Sequence, residues 1–391
     1  MNRSVLLAGF VLFVAMFGSN LPAPLYELYR LRFGASTFAI TVVFATYPLA
    51  LVATLFAFAH LPDVLGRRPV LLLGIAAAAL GSIVFATATG IPALLAGRVF
   101  HAIAIGAIGA AGPTALVELD SAQDRRRAAL VATFALSLAC GVAPFVSGVL
   151  AVTAPAPFVL PYVLHLVLCA FAAASLAFVP ETRAVAMRDQ GGAPRLTRTA
   201  RRAFAAAALT SGITWWLASL FVSILPAFVG SLLGARSPAL QGGLALIVFV
   251  VSPLAQTFGR RLSDRAAASA GLIGTVVALA ALLGAVPARS LALFAFGSVV
   301  AGAAHGLGFL GAQSVVNRVA PPAARARLSA TFYAVTYVCI GVPLLVVGAL
   351  TSYFGLYLAL AAVAAVAAIA ALVLAAVLPR TLRVPGEPAP R

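Results

Sequence analysis

"RRAALVATFALSLACGVAPFVSGVL" (Arg126–Leu150) and "RARLSATFYAVTYVCIGVPLLVVGAL" (Arg325–Leu350) state the same pattern twice. Arginines lead into Ala-Thr-Phe, a small-residue stretch follows, then a proline, then Gly-x-Leu. The offset is 199 residues, half of the 391-residue chain. Leu61-Pro62-Asp63 matches Leu262-Ser263-Asp264 at nearly the same offset, and Gly106 matches Gly306. A period of half the chain means two units built alike.

Composition says what those units are. The chain is 63% hydrophobic and 9% charged, with mean hydropathy +1.10. A soluble domain of this make-up would expose too much apolar surface to stay dispersed. About 20 apolar residues cross about 30 Å of hydrocarbon. Twelve such segments fit, starting near Val5, Phe38, Val70, Pro92, Ala129, Phe158, Ala203, Leu240, Ala270, Leu291, Leu328 and Leu356. The expected fold is therefore an all-α integral membrane protein. It has twelve transmembrane helices in two pseudo-symmetric six-helix bundles, with a substrate site between the halves near the bilayer midplane. The bundles are expected at residues 1–180 and 203–378, joined by a polar, arginine-rich cytoplasmic linker at 181–202 with room for a short surface helix. A Pro-rich tail at 379–391 reads as disordered.

The net charge of +17 does not point to nucleic acid, because of where it lies. Every basic residue is arginine. Twenty-one of the 26 precede span 1, follow even-numbered spans or lie in the tail. The positive-inside rule then puts both termini in the cytoplasm. Cys140, Cys169 and Cys339 fall inside spans and read as small buried residues rather than a disulfide framework or metal site. The first span is too long for a cleaved signal and reads as an anchor. Without lysine there is no P-loop, so the chain carries no ATPase of its own. Eight of the nine acids sit on the cytoplasmic side, and no H-E-x-x-H or paired-carboxylate motif appears. That leaves no constellation for a membrane-embedded enzyme. No filter loop or acidic ring suggests a channel.

Two stretches carry polar chemistry. "AHLPDVLGRRPVLLLG" (Ala59–Gly74) packs an acid, a glycine turn and two arginines into a short loop after span 2. "LLAGRVFHAIAIGAIGAAG" (Leu94–Gly112) puts Arg98 inside span 4, about 9 Å below the outer surface at 1.5 Å per residue, with His101 one turn further on roughly the same face. An intramembrane arginine is costly and usually faces a bundle interior or a wet cavity. A histidine titrates near neutral pH. The plainer alternative has Arg98 bracing carbonyls and His101 as a satisfied polar residue.

The loop resembles the signature G-x-L-a-D-R-x-G-R-R of the major facilitator superfamily, with Asp63, Gly66, Arg67 and Arg68 matching. Ala59 and Val64 replace a glycine and an arginine. The second half keeps Asp264 and Arg265 without the Gly-Arg-Arg. The resemblance implies that this loop latches the two halves, with Asp63 facing the start of span 11 near Arg325–Ser329. Arg98 matches the span 4 arginine of the drug/proton antiporter branch, with His101 where glutamine is usual. Ala139, Ala143, Pro144, Ser147 and Gly148 follow that branch's span 5 motif G-x-x-x-G-P-x-x-G-G, with only Pro144 and Gly148 strict. The resemblance implies a proton-coupled exporter working by alternating access, an importer or facilitator of a small metabolite being the alternative.

Other candidates for the proton and substrate pathway are Asn20 at the Pro22/Pro24 break, Glu27, Tyr47, Trp215 or Trp216, Gln256, His305, Gln313, Tyr333, Thr336 and Tyr337. Glu27 lies among Tyr26, Tyr29, Arg30 and Arg32, which read as an interfacial belt. A site of this make-up suits amphiphilic or cationic organic compounds. It lacks the basic pair a phosphate or dicarboxylate would need. The expected partners are the bilayer of the cell's inner membrane, a small-molecule substrate and protons. The chain is expected to act as a monomer, with no cofactor, metal or nucleic acid.

Overall fold

The computed structural model describes residues 3–120, 125–182, 196–232, 234, 237–321 and 324–381. Among them there is no β-strand. The helices are α1 (Arg3–Asn20), α2 (Tyr26–Arg32), α3 (Thr37–Ala57), α4 (Leu61–Leu65), α5 (Arg67–Ala86), α6 (Ile91–Leu119), α7 (Arg125–Thr153), α8 (Leu160–Leu176), α9 (Arg198–Ser223), α10 (Leu225–Leu232), α11 (Pro238–Gly259), α12 (Asp264–Gly284), α13 (Leu291–Val319) and α14 (Arg325–Thr381). Hydrocarbon offers no partner to backbone amides, so each apolar run must close its own hydrogen bonds as a helix. Helix starts follow the sequence: the Ser36, Thr197, Ser263 and Ser290 hydroxyls accept the backbone N–H three residues on, as N-cap residues do.

Ten apolar stretches are long enough to cross a bilayer, counting α1 with α2 as one and α14 as one. Gly355, at φ 76°, breaks α14 into two crossings, and the 17-residue α8 completes twelve. Helices thus cover all twelve expected spans. Arg3 stacks its guanidinium over Phe178 at 5.7 Å, so the chain's start shares a face with the end of α8. This is the terminal face; the opposite one is the distal face.

Each half repeats one packing plan. The helix pair α5/α6 corresponds to α12/α13, and the 29-residue α6 and α13 begin 200 positions apart. The α1 helix packs on α5, α6, α7 and α8, while α9 packs on α11, α12, α13 and α14. The halves meet along two main seams, α7 on α11 and α3 on α14. A Cβ on Gly148 would strike the Pro238 carbonyl, and one on Gly242 would strike the Pro144 carbonyl. On the other seam Gly348 faces Thr41 and Gly341 faces Leu49. The Gly148, Gly242 and Gly348 approaches lie in the distal half of the helices and the Gly341 approach near their middle, so the two units are closed against each other on the distal side.

Two expectations change. The α9 helix starts at Arg198, so the last residues of the expected 181–202 linker are already helical; the linker's surface helix falls within 183–195, outside the described residues, as does the tail beyond 381. Tyr26 and Tyr29 are not an interfacial belt. Both are buried, because α2 continues the first span against the bundle past the Pro22/Pro24 break, where Tyr29 Oη donates to the Phe85 carbonyl and meets Tyr162 Oη, each at 3.2 Å.

Candidate functional site at the seam between the halves

Arg98 is the centre of the N-terminal half of the site. It lies on α6 and is 1% exposed. Its Nη1 donates to the Ser19 carbonyl at 2.6 Å, one of the last carbonyls of α1. Three rings surround the guanidinium: Tyr26, Phe44 and Tyr47, with centroids 5.3, 5.4 and 5.5 Å from Cζ. Such contacts contribute about 0.5–2 kcal/mol each. No described acid pairs with it, and Nε has no hydrogen-bond partner among the described residues. Glu27, the one described acid on the distal side, is held bidentately by Arg30 at 2.7 and 2.8 Å. It lies at the distal end of the seam, beside Tyr26, Thr37 and Thr41 of one half and Ser223 of the other, and its carboxylate is taken up by Arg30 rather than by Arg98.

Asn20 ends α1 beside this cage. Its Nδ2 donates to the Met16 carbonyl at 2.9 Å and reaches Cys140 Sγ on α7 at 3.7 Å. Tyr47 carries the site across the seam. Its ring meets Tyr337 of the C-terminal half edge-on at 6.5 Å. Both rings are half-buried.

One turn from Tyr337, Tyr333 joins a second cluster. Tyr333 Oη donates to Gln313 Oε1 at 3.4 Å and its ring packs on Phe332 at 5.4 Å. Phe309 links Phe332 to Trp215, and Trp215 meets His305 edge-on at 4.4 Å. His305 Nδ1 shares a hydrogen bond with Ser252 Oγ at 2.8 Å, and Gln256 Nε2 donates to the same oxygen at 3.4 Å. The structure thus gathers Trp215, Gln256, His305, Gln313 and Tyr333, and it chooses between the adjacent tryptophans. Trp216 turns instead to an apolar groove of about 400 Å³ between α9 and both parts of α14. Thr336 is a packing contact, 2.9 Å from Ser211 on α9.

His101 does not share Arg98's surroundings. Its ring stacks on Phe85 at 5.3 Å and faces Gly81 on α5. Neither ring nitrogen has a hydrogen-bond partner among the described residues. Three residues along a helix turn the side chain by roughly 60° from overlap, enough to aim Arg98 at α1–α3 and His101 at α5. Beyond Phe85 lies His165, which sequence reading missed. Its Nδ1 shares a hydrogen bond with Ser82 Oγ at 2.6 Å and its Nε2 lies 2.9 Å from the Val14 carbonyl. A lone histidine in span 6 with no motif around it gave no signal.

The span 5 motif lies on the α7/α11 seam. Ala139, Ala143 and Ser147 are fully buried, and Pro144 and Gly148 make the backbone approach to α11 described above.

At the terminal face Arg67 is buried and ion-paired twice, to Asp63 at 2.6 Å and to Glu118 at 3.3 Å. Glu181, another residue the sequence reading passed over, accepts from the Arg67 and Arg68 backbone N–H groups at 2.7 and 3.3 Å. Its carboxylate caps α5, where the helix dipole favours an anion. Gly66, at φ 94°, supplies the turn and leaves no room for a Cβ beside that carboxylate. The expected latch partner of Asp63 was the start of span 11. Asp63 pairs with Arg67, whose buried guanidinium requires anionic neighbours; the side chains of Arg325 and Ala326, at the expected partner, are outside the described residues. In the second half Asp264 pairs with Arg318 at 2.8 Å, so both halves tie this loop to the end of span 4 or 10. Arg265 Nε has no hydrogen-bond partner among the described residues.

Two six-helix units that share one plan and enclose a polar, aromatic seam define a membrane transporter. The profile of the Major Facilitator Superfamily matches residues 8–266 and 239–391, and the chain belongs to that family. An uncharacterized transporter of Schizosaccharomyces pombe is 29% identical over 147 residues, 37% of this chain and 30% of that one; the matched stretch spans under a third of the relative's length. Among solved structures, a POT family transporter in complex with 5-aminolevulinic acid superposes with TM-score 0.79 at 12% identity, over 97% of this chain and 96% of that one. The inward open conformation of the xylose transporter XylE from E. coli gives TM-score 0.78 at 12% identity, over 98% and 97%. At these identities the likeness is one of fold.

Proposed function

We propose that the protein is a proton-coupled secondary transporter that exports small amphiphilic organic compounds across the inner membrane by rocking its two halves. The observation that carries this reading is the run Arg98–Tyr47–Tyr337, which joins a buried charge in one half to an aromatic cluster in the other. A ligand on those rings touches both units, so its binding is coupled to their relative position. Arginine placement favours a cytoplasmic terminal face, which makes the distally closed arrangement an inward-facing one. The direction of transport rests on the resemblance of Arg98 and the Ala139–Gly148 stretch to the drug/proton antiporter pattern. His305, in the cluster beside Trp215, is the group able to carry the proton there, since no acid lies within the hydrophobic centre of a span and His101 is turned to α5.

That scarcity of acids also favours a second reading, a facilitator without proton coupling. Everted membrane vesicles with a respiration-driven proton gradient and a pH-sensitive dye separate the two. A panel of lipophilic ions, antibiotics and sugars is added to wild type and to Arg98→Ala. Substrate-evoked proton leak that is lost in the variant supports antiport with Arg98 on the path. A leak unchanged by the substitution reduces Arg98 to a brace. Counterflow of a panel compound without proton leak supports the facilitator.

A further inference from the structure

The interior of the site holds a charge without a counter-charge. Arg98 is the one arginine buried within the hydrophobic part of a described span, and its compensation is one carbonyl and three ring faces. A guanidinium taken out of water is costly unless paired. Every described acid is elsewhere: Glu27 with Arg30 at the distal face, and Asp63, Glu118, Asp120, Glu181 and Asp264 at the terminal face. Among the described residues no side chain supplies the counter-charge, which leaves the place open to an anionic ligand.

We propose that the transported compound is an amphiphilic monocarboxylate. Its carboxylate pairs with Arg98 beside Tyr47 and Tyr337, and its apolar body lies on the rings around Trp215 and Phe309. This rests on the seam being the substrate site, as proposed above, and narrows its substrate from amphiphilic compounds in general, cations included, to anions. Three features select the class. The fork of Arg98 has Nη1 engaged by the Ser19 carbonyl and Nε unpartnered, so one edge remains, which suits a planar carboxylate. Among the described residues a single guanidinium stands there with no second arginine beside it, which suits one negative charge and not a phosphate or a dicarboxylate. The Tyr47 and Tyr337 rings are half-buried where Arg98 is enclosed, and each carries a hydroxyl that can donate to an anion. A cation at the same place would face an uncompensated positive charge across one ring.

The test uses the purified full-length protein in proteoliposomes and three apolar bodies: an octyl chain, a phenyl ring and a naphthyl ring. Each is presented as carboxylate, carboxamide and methylammonium. Binding is read from tryptophan fluorescence and transport from counterflow. For at least one body the carboxylate is expected to bind about tenfold more tightly than its amide, the scale of one charge-assisted hydrogen bond, and to show counterflow. Arg98→Lys keeps that preference with weaker binding, and Arg98→Gln loses it, with melting curves confirming that each variant is folded. A preference for the ammonium or amide forms overturns the inference, as does a carboxylate preference unchanged in Arg98→Gln. If the compounds evoke proton leak in vesicles without carboxylate preference, the inference fails and the transporter reading stands. If no form of any body binds or moves, both fall.

Discussion

Arg98 and His165 are two buried polar residues with opposite status. His165 has found its partners: Ser82 on one nitrogen and the Val14 carbonyl near the other. It therefore behaves as a structural tie between α8, α5 and α1. Ser82→Ala leaves a buried ring nitrogen unpaired, a loss of about 1–3 kcal/mol. A lower melting temperature in detergent with substrate affinity unchanged is the expected result. Arg98 has not found such partners, and substitution there is expected to change ligand affinity more than stability. Measuring both melting and binding for Ser82→Ala and Arg98→Lys checks the contrast. Arg98 was legible in the sequence because a charge inside an apolar run is rare. His165 was not, because one histidine among apolar residues has the same appearance whether it packs or acts. Glu27 was the opposite case: scarce acids drew notice, but Arg30 one turn away neutralises it at the surface.

Among the elements, α7 and α11 decide how the halves close. The small residues of the span 5 motif let the backbones at Gly148 and Gly242 approach the Pro238 and Pro144 carbonyls. Small residues permit close helix packing in lipid. Gly148→Leu places a side chain where carbonyl atoms already stand, and is expected to push the distal seam open. A single cysteine at Ser352, at the distal end of the first crossing of α14, then reacts faster with a membrane-impermeant maleimide than in the parent protein. An unchanged rate would mean that the seam is not held by this contact. The motif's residues were legible, but its partner was not. Spacing within one helix shows that it packs closely, while the neighbour is set by how two halves of the chain meet. The α5 cap shows the same limit. The Gly66-Arg67-Arg68 turn was readable as a local motif, whereas Glu181 reaches it from the end of span 6. Glu181→Gln weakens an anionic cap at a helix N-terminus by about 0.3–1 kcal/mol, a small loss in thermal stability; a drop of several degrees would assign Glu181 a larger part.

For the whole molecule, the repeat explains both the architecture and the site. Hydropathy and charge placement specified twelve crossings, and the half-chain period specified two like units. Which polar side chains face the seam did not follow, since a residue's direction depends on helix rotation that periodicity in a uniformly apolar span does not encode. In the proposed function the two units pivot about the Arg98–Tyr47–Tyr337 run, opening one face as the other closes. Paired spin labels on a background with Cys140, Cys169 and Cys339 replaced measure this directly. One pair, at Ser36 and Ser352, spans the α3/α14 seam at the distal face; the other, at His60 and Arg327, spans it at the terminal face. The prediction is reciprocal: on adding a transported compound or changing pH, a population appears with a longer distal and a shorter terminal distance. Distances that stay fixed under every condition, or that lengthen together at both faces, would contradict the account.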